Sequence, residues 1–354
     1  MKKILCVADA PGPAEFLLPV LPLLKEKAEV VVLGYGKAFE VLQGAGALEV
    51  KTEEEGIEVY KKFNPGILVE AISSLTKGPF IINKLIERAH AESVPVVCLQ
   101  DIWANHRWPH NASSLKYANL VCTLDEFAAS LWKEDGFKGK IQVTGNPGFE
   151  KFGNVDVVEE RARLRARLHL SAVDKVILYA GQGTPRAVEE DKKTFKLLTD
   201  SLRLIKDFPI KLIVRPHPRA EETGYYKEYA QNLEVVDTKS IHFSENILPA
   251  ADLIVSIFAT NLIHACYLRI PAMSILLPGA GGEITEVLRL KDFPPNTMGA
   301  TVGVYKEDSQ ELKEKILKIL TDETFRGSLI RAQKSNFILD GKSAERTCLA
   351  ILGV

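Results

Sequence analysis

Residues 120–148 read LVCTLDEFAASLWKEDGFKGKIQVTGNPG. Residues 120–123 form a short apolar run without polar alternation, the pattern of a strand buried on both faces of a parallel sheet. Residues 126–135 read as a helix, residues 141–144 return to a strand pattern, and Gly145-Asn146-Pro147-Gly148 is a strong turn signal. Strand, helix and strand in this order make a βαβ unit, and the turn closes it.

The same alternation extends to both sides. Before this stretch, strands are expected at residues 4–8, 30–34, 67–70 and 94–99, with helices at 14–27, 37–44 and 80–91. After it comes a charged helix over 157–170, whose Arg run reads better as a solvated linker with Glu/Arg pairing than as a nucleic-acid surface. Strands then follow at 175–180, 210–215, 233–236, 253–256, 272–276 and 301–304, with helices at 189–206, 261–267, 310–320 and 343–352. Ser343 is a candidate N-cap for the last helix. The expected architecture is α/β, with an N-terminal Rossmann-like domain over 1–155 and a second over 156–335. A C-terminal helix over 336–354 is expected to pack back on the first domain.

A chain of 354 residues suits two such domains. Its 46% hydrophobic and 26% charged residues are ordinary for a soluble globular protein, and a net charge of -1 gives no global field for nucleic acid or a membrane. The five cysteines are scattered and contain no CxxC pair, which suits buried thiols in a reducing compartment. Asp9 and Pro11-Gly12-Pro13 interrupt the N-terminal apolar run too early for a signal peptide, so a cytoplasmic location is expected. His106 and His110 are the only closely spaced histidines, with Pro109 between them, and no metal or cofactor is expected.

Five segments carry polar groups at expected strand ends. Gly181, Gly183 and Thr184 suit the approach of backbone amides to a phosphate. Arg215, His217 and Arg219 stand in a loop stiffened by Pro216 and Pro218, where they suit a diphosphate. Ser256, Thr260 and Asn261 lead into a helix N-terminus, a natural anion site, with simple capping by Thr260 or Asn261 as the plainer reading. Asp101, His106 and Arg107 cluster beside Trp103 and Trp108, a candidate acceptor site or a packed loop. Asp9, Gly12 and Glu15 follow the first strand, with both acids as reserve catalytic carboxylates. The stripe Phe16, Leu17, Leu18, Leu21 and Leu24 has two readings, core or contact with a lipid-linked acceptor, and core is the commoner role.

Together these segments resemble the two-domain glycosyltransferase fold GT-B. More narrowly, they resemble the group holding non-hydrolysing UDP-N-acetylglucosamine 2-epimerases, lipid A disaccharide synthases and CDP-glycerol glycerophosphotransferases. Val143-Thr144-Gly145-Asn146-Pro147 resembles the element that ends the first domain in this group. Arg215-Pro216-His217-Pro218 resembles an element of the glycerophosphotransferases, and residues 248–256 with Arg269-Ile270-Pro271 resemble the donor-nucleotide stretch. The resemblance implies donor nucleotide on the second domain, acceptor on the first, and metal-independent chemistry in the cleft between them.

Gly183, Thr184, His217 and residues 256–261 would then contact the donor phosphates. His264 stands where many members place an acid on the ribose, and Glu283 is a substitute for it. The epimerase elements after the first and middle strands are replaced here by Asp9-Ala10-Pro11-Gly12-Pro13 and Gln100-Asp101-Ile102-Trp103-Ala104.

The expectation is a glycosyltransferase moving a sugar from a nucleoside-diphosphate sugar, with UDP the first candidate, to a carbohydrate or glycolipid hydroxyl. Asp101 is the candidate base, His106 its neighbour and Asp9 the reserve. The alternatives are a 2-epimerase-like enzyme, a CDP-alditol polyol-phosphate transferase and a non-catalytic nucleotide-binding protein. The reading leaves room for peripheral membrane contact and for a homodimer.

Overall fold

The computed structural model describes the chain except at residues 74–80, 184–186, 218–219, 221, 243–244, 280–281 and 283–285. The chain divides into two compact units. The first comprises Met1–Gly153, Val287–Arg289 and Leu339–Val354, and the second Asn154–Glu286 and Leu290–Ile338.

Among the described residues of the first unit, seven strands form one parallel sheet. They are β1 (Lys3–Ala8), β2 (Glu29–Gly34), β3 (Leu48–Glu49), β4 (Ile67–Ala71), β5 (Val96–Leu99), β6 (Leu120–Thr123) and β7 (Lys140–Val143). Their order is β3-β2-β1-β4-β5-β6-β7. Apolar clusters cover both faces, one with Ile4, Cys6, Val97 and Leu99, the other with Leu5, Val7, Leu68 and Cys98. This alternation explains why the strand sequences carry almost no polar residue.

The helix expected over 14–27 is two helices, Pro11–Leu17 and Leu21–Lys25. Pro11 sits in the first turn, where its missing amide hydrogen costs nothing. Pro19 and Pro22 cannot donate to a continuous helix, and the chain breaks there. Phe16, Leu17, Leu21 and Leu24 are fully buried, so this stripe is core and not a lipid contact. Each such side chain contributes roughly 1.5–3 kcal/mol by leaving water.

The last helix, Ser343–Leu352, belongs to the first unit and adds Cys348 and Ile351 to its core. The Lys2 ammonium donates to the carbonyls of Leu352 at 2.7 Å and Val354 at 3.0 Å. Ser343 does not cap this helix. It is the first helical residue, and its hydroxyl donates instead to Glu150 Oε1 at 2.6 Å.

Among the described residues of the second unit, six strands form a second parallel sheet. They are β8 (Lys175–Ala180), β9 (Ile210–Arg215), β10 (Glu234–Val235), β11 (Leu253–Ser256), β12 (Ala272–Ile275) and β13 (Val302–Val304). Their order is β10-β9-β8-β11-β12-β13. The charged helix Val157–Arg167 is capped by Asp156 and tied down by acids. Arg161 and Arg165 both pair with Asp252, and Arg163 and Arg167 both pair with Glu245. Those pairings account for four arginines of the run.

Strand β3 and the helices Glu53–Phe63, Pro109–Leu115, Gly224–Tyr229 and Glu323–Asn336 are not anticipated by the sequence reading. All five cysteines are free and buried. Among the described residues, no helix is long and apolar enough to cross a membrane.

Candidate functional site

Parallel sheets bind ligands beyond the carboxyl ends of their strands, where the strand order reverses. In the first unit that point lies between β1 and β4. Asp9 follows β1, Glu70 lies in β4 beside Val7 and Cys98, and Asp101 follows β5 by two residues. Asp9 is 2% exposed and Glu70 1%. None of their four carboxyl oxygens has a hydrogen bond of good geometry. Ser73 is the polar neighbour of Asp9, and the Cys98 thiol that of Glu70.

Burial raises Asp9 to about 7, with Ser73 opposing. Burial, helped by the charge of Asp9, raises Glu70 to about 8. Asp101 is partly exposed as a residue, but its carboxyl group is closely surrounded, and burial lifts it to about 7.

Asp101 is held from three sides. Its Oδ1 accepts from Asn105 Nδ2 at 2.9 Å, and its backbone carbonyl accepts from Asn146 Nδ2 at 3.1 Å. Its Oδ2 lies against Gly12, where a β-carbon would stand 2.6 Å away. The room left by Gly12 is therefore taken by the Asp101 carboxyl. Three acids that gain and lose protons near neutrality, at a sheet's switch point, suit general acid–base work.

His106 does not join them. Ala104 takes a left-handed backbone conformation (φ 58°), and the chain then winds as a short 3-10 helix over Asn105–Arg107. This turns His106 onto the indole of Trp132, with ring centroids 4.1 Å apart. Its Nε2 meets Asp135 Oδ2 at 2.9 Å and its Nδ1 meets Gln100 Nε2 at 3.2 Å. Burial lowers its pKa to about 4, so the ring is neutral, donating through Nε2 and accepting at Nδ1. The expectation of His106 as a direct neighbour of Asp101 is thus corrected: the two are linked through Gln100 and Asn105. Trp103 is core, its indole donating to Asp125 Oδ2 at 2.7 Å. Glu15 is turned outward to Lys151 at 2.7 Å.

In the second unit the order reverses between β8 and β11. Gly181 and Gly183 follow β8, and His217 follows β9. The His217 imidazole occupies the space a side chain at Gly183 would need, so glycine loop and histidine form one surface. Arg215 ends β9 half-buried, its carbonyl accepting from Gly181 N at 3.0 Å. Burial lowers the pKa of its guanidinium, and Glu245 opposes.

Ser256 is not available as a phosphate donor. It is fully buried, donates to the Ala180 carbonyl at 2.6 Å and accepts from Gln182 Nε2 at 3.0 Å, joining β8 to β11. The helix Thr260–Tyr267 begins after Ala259, with no side-chain cap. Thr260 and Asn261 therefore do not cap it, and no side-chain cap competes for its first-turn amides. Thr260 is exposed, while Asn261 and His264 are half-buried on the same helix. Arg269 is structural, its guanidinium donating to the carbonyls of Cys266, Gln333 and Phe337. Thr184, Arg219 and Glu283 lie outside the described residues. Among the described residues, no group of three or more His, Cys, Asp or Glu is placed to hold a metal ion.

Four residues that the sequence alone did not assign to a site support these surfaces. Glu70 and Asn146 belong to the acidic site. Gln182 bridges to Ser256 and the Phe258 carbonyl. Asp191 is fully buried under the glycine loop, accepting from Tyr179 Oη at 2.8 Å, Tyr225 and Tyr226 Oη at 2.5 Å each, and Gln182 N at 3.0 Å.

No protein-family model matches the chain, and no curated protein matches it. Solved structures do. The UDP-GlcNAc 2-epimerase from Neisseria meningitidis, bound to UDP-GlcNAc, superposes with a TM-score of 0.68 at 14% identity, covering 99% of this chain and 100% of that one. MnaA of S. aureus with UDP gives 0.67 at 16%, covering 98% and 95%. MurG of Acinetobacter baumannii gives 0.64 at 13%, covering all of both chains. The shared property is the fold: two Rossmann-like α/β units of the GT-B type.

Proposed function

We propose that the protein is an enzyme acting on a nucleotide sugar, and that it transfers the sugar to an acceptor hydroxyl. The observation that carries this is the different equipment of the two switch points. One has three buried carboxyls that change protonation near neutrality. The other has a glycine loop, a histidine packed on it and an uncapped helix N-terminus. The second surface suits a diphosphate, which Arg215, His217 and the first amides of Thr260–Tyr267 would stabilise as it leaves. Asp101 is the base for the acceptor hydroxyl because it keeps some exposure, while Asp9 behind it receives or returns the proton. Solved proteins of this fold bound to UDP or UDP-GlcNAc support the nucleotide class.

A second reading has its own support. Three clustered acids suit removing a proton from a sugar carbon and returning it, which is what an epimerase needs. The two readings differ in products. The test is incubation with the nucleotide sugar that raises the melting temperature most in a panel of UDP, CDP, GDP and ADP conjugates. Free nucleoside diphosphate released only when an acceptor is present supports transfer. A new sugar epimer without acceptor supports epimerisation. The absence of any shift at millimolar concentration defeats both.

A further inference from the structure

The first unit has a cavity of about 270 Å³ that the acidic site does not use. Its wall carries four cations, Arg107, Lys116, Lys138 and Arg289, against one carboxylate, Asp135, with Glu134 a further acid 3.7 Å from Arg107. Asp135 is already shared: Arg107 Nε donates to its Oδ2 at 2.6 Å, Arg289 to its Oδ1 at 3.3 Å, and His106 meets Oδ2 at 2.9 Å. Lys116 and Lys138 are exposed, and Trp132 and Phe137 also line the cavity. His106 is neutral and leaves the positive balance unchanged.

We propose that this cavity binds a small phosphate monoester. The excess of cations is the complement of a dianion, and the exposed Lys116, Lys138 and Arg289 can turn charged donors to it, while Arg107 is held in the wall by Asp135 and by the carbonyls of Leu288 and Arg289. The volume lies just below the roughly 300–1,000 Å³ of small-molecule sites, which favours a compact ligand over a nucleotide. The cavity also sits at the far end of one hydrogen-bond network. Asp135 meets His106, His106 meets Gln100, Gln100 Nε2 donates to Asn105 Oδ1 at 3.1 Å, and Asn105 donates to Asp101. A ligand that draws the exposed Arg289 from Asp135 therefore acts on the group that begins this chain.

The test is a titration of the full chain with inorganic phosphate and with glycerol phosphate at fixed ionic strength, followed by melting temperature. Sedimentation with phosphatidic-acid vesicles runs in parallel. The expected result is a phosphate-dependent rise that weakens about tenfold or more in the exposed double variant Lys116→Ala/Lys138→Ala and persists in His217→Ala. A shift with the soluble monoesters assigns a free ligand; sedimentation without such a shift assigns a lipid headgroup of the same chemistry. A shift lost in His217→Ala and kept in the lysine variant places the phosphate on the second unit and overturns the proposal. So does a rise equalled by chloride, or no rise together with no sedimentation.

Discussion

The His217 imidazole lies in the space that any side chain at Gly183 would fill. Alanine at 183 therefore pushes the ring away from the glycine loop. Gly183→Ala and His217→Ala should each weaken binding of the preferred nucleoside diphosphate about tenfold, the scale of one charge-assisted bond. Because both remove the same feature, the double variant should lose little more than either single one. Calorimetric titration of the three variants checks this. Full additivity would show that the two residues act separately.

Asp101 is the one acid of the cluster that is partly exposed as a residue. As a base it works only when ionised, and its pKa is about 7. Turnover should rise about tenfold per pH unit below that value and level off above it. Asp101→Asn should cut turnover by about a hundredfold or more with nucleotide affinity unchanged. Equal turnover in that variant would remove Asp101 from the chemistry.

His106 offers a contrast. Its contacts are to Trp132, Gln100 and Asp135, and it is neutral at every pH where Asp101 titrates. His106→Gln should lower the melting temperature by several degrees, about 1–3 kcal/mol of lost hydrogen bonding and packing. The midpoint of the pH–rate profile should stay near that of the native chain. A midpoint displaced by a full unit would mean that His106 titrates in the reaction.

The fold was legible because most of the buried strands are short, largely apolar runs without polar alternation, the pattern of a sheet covered on both sides. Leu120–Thr123, Lys175–Ala180, Ile210–Arg215 and Leu253–Ser256 coincide with the runs read from the sequence. The site was legible only where a loop keeps its side chains together. Residues 99–108 look like one polar cluster, yet the left-handed turn at Ala104 sends His106 away from Asp101. Glu70 carried a usable signal, an acid inside an apolar strand, which is rare unless it serves something. Asp191 carried none. Among Glu189, Glu190, Lys192 and Lys193 it reads as part of a solvated helix face, and only the three tyrosines gathered around it by the fold give it away.

Asp191 accepts four hydrogen bonds in a fully buried position, three from phenols and one from the Gln182 amide. Asparagine has one oxygen fewer and an amide that cannot accept, so at least one phenol is orphaned. Asp191→Asn should cost roughly 2–4 kcal/mol in urea unfolding. Losing the hold on Gln182 should also weaken nucleoside-diphosphate binding, while variants of the first unit leave that binding intact. Unchanged stability would mean that the phenols find other partners.

Glu70 makes a prediction whose sign is unusual for an acid. Its folded pKa, about 8, lies above its ordinary value of 4.5. Between these limits the folded chain holds a proton that the unfolded chain has released. Folding is then favoured at the acid end of the window, and the contribution is lost as pH rises through about 8. Replacing the carboxyl by an uncharged amide of similar shape removes this loss. Glu70→Gln should melt close to the native chain at pH 5. At pH 8.5 it should melt several degrees higher, equivalent to roughly 2–4 kcal/mol. Asp9→Asn should follow the same course with a midpoint nearer 7. Melting curves at four pH values decide the matter, because a gain equal at every pH would trace to packing and not to a proton.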